Sequence, residues 1–210
     1  MTLFGAGLVG SNAFAELYQP GRPASDGHLK TASGIPFKTL KFDIPTGWVS
    51  KPPASSMRVA DFTLPKAAGD AEDGQLAVYF FGGTGGSVQA NLDRWISQMT
   101  QPDGKASKDV AKTTTMKTKS GLTVTLVDLP GTYVAEVTPG SAERFNKPGF
   151  RLRAAVVETP EGPYFVKLTG PAKTIAQWDA SFVAFVSSIR VGTPPDRFSP
   201  TRSGPGAVRH

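Results

Sequence analysis

The sequence predicts an α+β domain: a central antiparallel β-sheet meander flanked by two main helices, with an extended arm at each end. Three observations lead there. Residues 36–191 carry short alternating or continuous apolar runs separated by Gly-, Pro- and Asp-rich turns, the pattern of antiparallel strands. Two longer segments repeat their apolar residues at helical spacing. The ends, 1–35 and 192–210, are dense in Gly and Pro and show no sustained period. The chain therefore divides into an N-terminal arm (1–35), a body (36–191) and a basic Gly/Pro-rich tail (192–210).

The body reads as follows. Phe37, Leu40, Phe42 and Ile44 form a strand that ends in the turn Pro45-Thr46-Gly47-Trp48. In 57–64, Arg58, Ala60, Phe62 and Leu64 alternate with Met57, Val59, Asp61 and Thr63, giving one apolar face. After a turn at Asp70–Gly74, the near-continuous run Gln75–Phe81 suits a central strand covered on both faces. Val88, Leu92, Trp95, Ile96 and Met99 make one stripe of an amphipathic helix, capped by Ser87 and stopped at Pro102-Asp103-Gly104. Lys112–Lys119 and Leu122–Leu129 pair around Ser120-Gly121, and a short strand follows at Gly131–Val137. Phe150–Glu158 and Tyr164–Leu168 form a second hairpin around 159–163. A final helix, 172–189, carries Ile175, Trp178, Phe182, Phe185, Val186 and Ile189 on one face. Trp48, Trp95 and Trp178 are expected in the core.

Composition limits the chemistry. The chain has no Cys and only two His, His28 and His210, both near the ends. That removes thiol nucleophiles, disulfides and Cys-ligated metals, and leaves histidine chemistry dependent on residues of the arms. A Ser or Thr nucleophile would lack a well-placed base. Neither an enzyme, a cofactor nor a metal site is expected. A carboxylate pair drawn from Asp43, Asp61, Asp128 and Glu158, or chemistry at Lys167, ranks last. With 13 Phe, 3 Trp and 4 Tyr, the chain has ample aromatic surface for a folded core.

The net charge of +6 suits an acidic partner surface or serves solubility alone. Lys105, Lys108 and Lys112, with Arg197, Arg202 and Arg209 of the tail, are the candidate partner contacts. Nucleic acid is not expected, because no aromatic residues interleave with the lysines. No apolar run reaches the roughly 18 residues of a membrane span. Leu3–Val9 followed by Ala13-Phe14-Ala15 has a partial signal-peptide shape, but no Lys or Arg precedes it.

The glycine run 82–86 ahead of a helix offers an anion site by its backbone N–H groups, but lacks both the P-loop lysine and the third glycine of a dinucleotide fingerprint. A flexible strand-to-helix connection is the plainer reading. The anion alternative groups Gly85, Gly86 and Ser87 with Arg94, Arg151 and Arg153. Otherwise Arg151 and Arg153 face water on a strand whose Leu152, Ala154 and Val156 point inward.

Several segments together resemble the PsbP-like (Mog/PsbP) superfamily, in particular an uncharacterised bacterial branch. They are Phe42–Trp48, the strand 57–64, Phe81-Gly82-Gly83, the helix residues Asn91, Arg94, Trp95 and Gln98, Gly131-Thr132-Tyr133, and the strand Tyr164–Gly170 feeding a final aromatic helix. The resemblance covers 36–191 and neither arm. It implies a sheet with helices packed on it and a non-catalytic accessory role. The expectation is an extrinsic subunit of a larger membrane complex, photosynthetic in the family's name-giving case, tethered by its arms. It would be peripheral to the membrane, with the periplasmic side favoured.

Overall fold

The computed structural model describes residues 40–81 and 87–192. All of them belong to the second of two units into which the chain divides at Ile35/Pro36. The readings made for the N-terminal arm, for Gly85 and Gly86, and for Arg197, Arg202 and Arg209 lie outside the described residues.

Eight strands form one antiparallel sheet. Its order is β2 (Val49–Lys51), β3 (Arg58–Leu64), β4 (Gly74–Phe80), β9 (Tyr164–Pro171), β8 (Lys147–Val157), β7 (Thr123–Tyr133) and β5 (Met99–Thr100), with β6 (Lys112–Lys117) also paired to β7. The expected single meander is instead two, β2–β3–β4 and β6–β7–β8–β9, joined where β4 pairs with β9. β4 shows why: Leu76, Ala77 and Val78 are all buried, so this strand needs a neighbour on each edge and a layer on each face. The chain supplies the second neighbour only after travelling to the far edge and back. A separate two-residue pairing joins β1 (Leu40–Lys41) to β10 (Arg190–Val191) and ties the two ends of the body together.

The helices also depart from the expected pair: the described residues hold four. α1 (Val88–Ile96) starts where its cap predicts, the Ser87 hydroxyl accepting from the Ala90 N–H at 3.1 Å. It stops at Ser97, two residues short of the end of its apolar stripe, because Met99 pairs with Tyr133 as part of β5. α2 (Ser107–Val110) is one short turn. The final helix breaks at Trp178 into α3 (Ala172–Gln177) and α4 (Asp179–Ser188). There the indole covers the Gly47 turn and donates to the Pro65 carbonyl at 2.8 Å. Trp178 is accordingly half-buried, whereas Trp48 and Trp95 are buried as expected. The strand expected at 131–137 continues β7 as far as Tyr133 across a register shift at Gly131. A Cβ at Gly131 would lie 2.6 Å from the Thr100 carbonyl oxygen, so glycine is what lets β5 approach.

Alternation along the strands divides the core in two. On one face, α3 and α4 press Ile175, Phe182, Phe185 and Val186 onto Leu76, Val78, Val166 and Leu168. Each fully buried side chain of this kind contributes about 1.5–3 kcal/mol. Close approach is possible because Gly74 and Gly170 meet beneath Ile175, where an added Cβ at Gly170 would lie 2.9 Å from Gly74 Cα. On the other face, α1 lays Leu92 and Trp95 over Val127, Leu152, Ala154 and Phe165. α1 is nine residues long and leaves the β3–β4–β9 part of that face open.

Candidate functional site

The sequence-predicted basic residues separate sharply. Arg151 and Arg153 do not face water, and they form no anion site with Arg94. Counting along β8, they point to the α3–α4 face with Ala155 and Val157, while Leu152, Ala154 and Val156 point to the α1 face. Arg151 grips Asp128 through two bonds of 2.7 Å, and Arg153 reaches the same carboxylate at 3.1 Å. Arg153 Nε also lies 3.0 Å from Asp179 Oδ1 at the start of α4, an ion pair whose angle falls short of a hydrogen bond, with both atoms out of solvent. The Arg153 guanidinium sits over the Phe182 ring at 5.4 Å. Burial alone would push the Asp128 carboxyl up, but the hydrogen bonds and charges of the two arginines outweigh it and hold the group below the usual carboxylate range. The outward reading assumed one wet face. α4 covers that face, so the charges there are paired and closed.

Ser87 is committed to capping α1, and Arg94, exposed on the same helix, donates to Asn91 Oδ1 at 2.7 Å. Lys105, Lys108 and Lys112 are exposed, Lys105 pairing with Asp103 at 2.9 Å. They surround the start of β6, an outer strand of the sheet, where exposed charge discourages edge-to-edge pairing with another chain.

The open part of the α1 face holds the site. One row of the sheet runs Asp61 on β3, Ala77 on β4, Lys167 on β9, Ala154 on β8 and Val127 on β7. Ala77, beside Lys167 in this row, is too short to fill the space above it. The result is a cavity of about 440 Å³, with Lys167 on its floor and Tyr79, Tyr133, Phe145 and Phe150 among its walls. Tyr133 lies between the rings of Phe145 and Phe150, with centroids at 5.7 and 6.0 Å. Lys147, over both phenylalanines, closes one side by pairing with Glu72 at 2.6 Å.

Lys167 is half-buried and donates to Gln98 Oε1 and, at 3.4 Å, to the Tyr133 hydroxyl. No carboxylate pairs with it among the described residues. The nearest in its row, Asp61, is two strands away, about 10 Å by strand spacing. Asp61 is in any case engaged, accepting from the Ala54 N–H at 2.8 Å and from Arg58 at 2.9 Å. Desolvation by the surrounding protein, with the positive charges of Arg94 and Arg58, lowers the Lys167 ammonium to about 8. Tyr79 and Tyr133 are both raised, chiefly by burial, and stay protonated.

Gln98, Tyr133 and Lys167 each belong to a segment that carried the family resemblance, yet sequence reasoning did not bring them together. They are 34 and 69 residues apart. The available signal was Lys167 itself, a lone cation inside the apolar run Tyr164–Leu168. Among the described residues no group of three or more His, Asp or Glu is placed to hold a metal ion, and no helix is long and apolar enough to cross a membrane.

The fold and cavity together define an antiparallel α+β sheet domain with one closed and one open face. No protein-family profile and no curated protein sequence matches the chain. Among solved structures, a Pseudomonas aeruginosa protein of unknown function, PA94, is similar with a TM-score of 0.42 and 11% identity, over 71% of this chain and 94% of that one. Cyanobacterial PsbP (CyanoP) from Synechocystis sp. PCC 6803 is similar with a TM-score of 0.40 and 14% identity, over 80% and 98%. Both TM-scores lie below 0.5.

Proposed function

We propose that this chain is a non-catalytic accessory module that works by binding, and that the Lys167 cavity is its small-molecule site. The observation that carries this is a half-buried ammonium on the floor of an open cavity, with no carboxylate partner among the described residues. Catalysis is disfavoured because the neighbouring carboxylates are already occupied: Asp61 by Arg58 and the Ala54 N–H, Glu72 by Lys147. A panel of small acids, amides and amines added to isotopically labelled protein tests the reading by NMR. Ligand-induced shifts are expected at Ala77, Tyr133 and Phe150, with the α3–α4 face unmoved. Shifts confined to other surfaces, or no binder at all, count against it.

A second reading places the body on a larger assembly, as an extrinsic, periplasmic subunit of a membrane complex tethered by its arms. It is favoured by the sequence resemblance and by the exposed Lys105, Lys108 and Lys112 around an outer strand. Deleting 1–35 and 193–210 and measuring retention on membranes tests it. Unchanged retention argues against the arms as tethers.

A further inference from the structure

Resting on the reading of the Lys167 cavity as a ligand site, we propose that its ligand is a small organic monocarboxylate, that the carboxylate becomes the counter-ion of Lys167, and that binding takes up a proton. Three features of the cavity lead there.

Lys167 and Tyr133 each keep a proton to donate into the cavity. Two of the three ammonium protons are directed at Gln98 and Tyr133, leaving one free. The Tyr133 oxygen accepts from Lys167, so its phenol proton remains available. A free ammonium proton beside a free phenol proton fits an oxyanion.

The charge fits one negative group. Lys51, Arg58, Lys147 and Lys167 line the cavity against Asp61, Glu72 and Asp73, an excess of one positive charge. Arg58 and Lys147 hold Asp61 and Glu72, and Asp73 accepts from the Lys66 N–H at 2.9 Å. With those pairs made, Lys167 on the floor and the exposed Lys51 remain against Asp73, so a phosphate dianion would exceed the single net positive charge of the lining. Apart from Gln75 and Thr169, the uncharged wall is apolar or aromatic (Ala77, Phe145 and Phe150 among it), which suits a hydrocarbon body, and about 440 Å³ admits a small one.

The proton follows from the surroundings of Lys167. The groups facing it are Arg58 and Asp61 from β3, Tyr79 from β4, Tyr133 from β7 and Arg94 from α1. Lys147 of β8, Lys51 of β2 and the β3–β4 loop acids stand further out on the lining. Arg58 and Arg94 press against its positive charge, and a carboxylate brought into contact would favour it.

Calorimetric titration of the full chain with benzoate and hexanoate, at pH 7 and pH 9 in buffers of different ionisation enthalpy, tests the proposal. With the free ammonium titrating near 8, affinity is expected to fall about tenfold from pH 7 to pH 9, with uptake of about 0.9 proton at pH 9 and about 0.1 at pH 7. Lys167→Met, or Lys167→Gln if the first variant folds poorly, should lose binding with no fall in melting temperature. Inorganic phosphate should not bind. Equal binding of benzamide, pH-independent affinity, retention by the folded variant, or preference for phosphate would overturn the ligand class and leave the cavity reading standing. If acids, amides and amines all fail to bind, both fall.

Discussion

The two faces of one sheet treat charge in opposite ways. Under α4, Arg151 and Arg153 are matched by Asp128 and Asp179 and closed off by helix and aromatic ring. Beside α1, Lys167 has amide and phenol partners but no counter-ion among the described residues, and it opens on a cavity. A matched cluster stabilises what is already there. An unmatched ammonium held in place costs stability that a ligand can return, and such a cost marks a site.

The largest effect should come from breaking the matched face. Asp128→Ala leaves two arginines without their shared carboxylate, and is expected to cost about 3–5 kcal/mol in denaturant unfolding. A cost below about 1 kcal/mol would show that α4 does not seal this cluster. Acid should act in the same direction. The Asp128 carboxyl is lowered when folded, so its contribution is present above the unfolded value of 3.8 and is lost as pH falls through the folded value.

Lys167→Met should have the opposite sign, stabilising the protein by about 1–3 kcal/mol at pH 7 because it removes an uncompensated charge. Destabilisation by that substitution would mean the Gln98 and Tyr133 bonds outweigh desolvation. The pH dependence sharpens the contrast. The unfolded chain holds the Lys167 proton up to about 10.5 and the folded chain releases it near 8. Between those values the unfolded state binds more protons, so stability rises with pH, by about 2 kcal/mol from pH 7 to pH 9.5. Lys167→Met should remove that rise.

The smallest effect concerns the helix that borders the open face. Ser87→Ala removes the cap on Ala90 and should cost about 1 kcal/mol without changing ligand affinity. A matching loss of affinity would place Ser87 in the site after all.

What the sequence made legible follows from locality. Strand alternation in 57–64, the Ser87 cap and the Ser120-Gly121 turn each depend on a few adjacent residues, and all stand in the structure. Helix ends were misjudged where tertiary partners overrode a local period: Met99 continues the stripe of α1 but pairs with Tyr133, and Trp178 continues that of the last helix but bonds to Pro65. The sites depend on register. Asp128 opposite Arg153, and the alanines flanking Lys167, become visible only once strands far apart in sequence are aligned.

The central claim is that Lys167 carries a displaced, unpaired charge on the open face. The most direct measurement is an NMR titration of the carbon beside Lys167 Nζ, read by carbon-13 shift with and without benzoate. The account predicts a midpoint near 8 in the free protein, moving upward when benzoate is bound. A midpoint near 10.5, unmoved by benzoate, would contradict it.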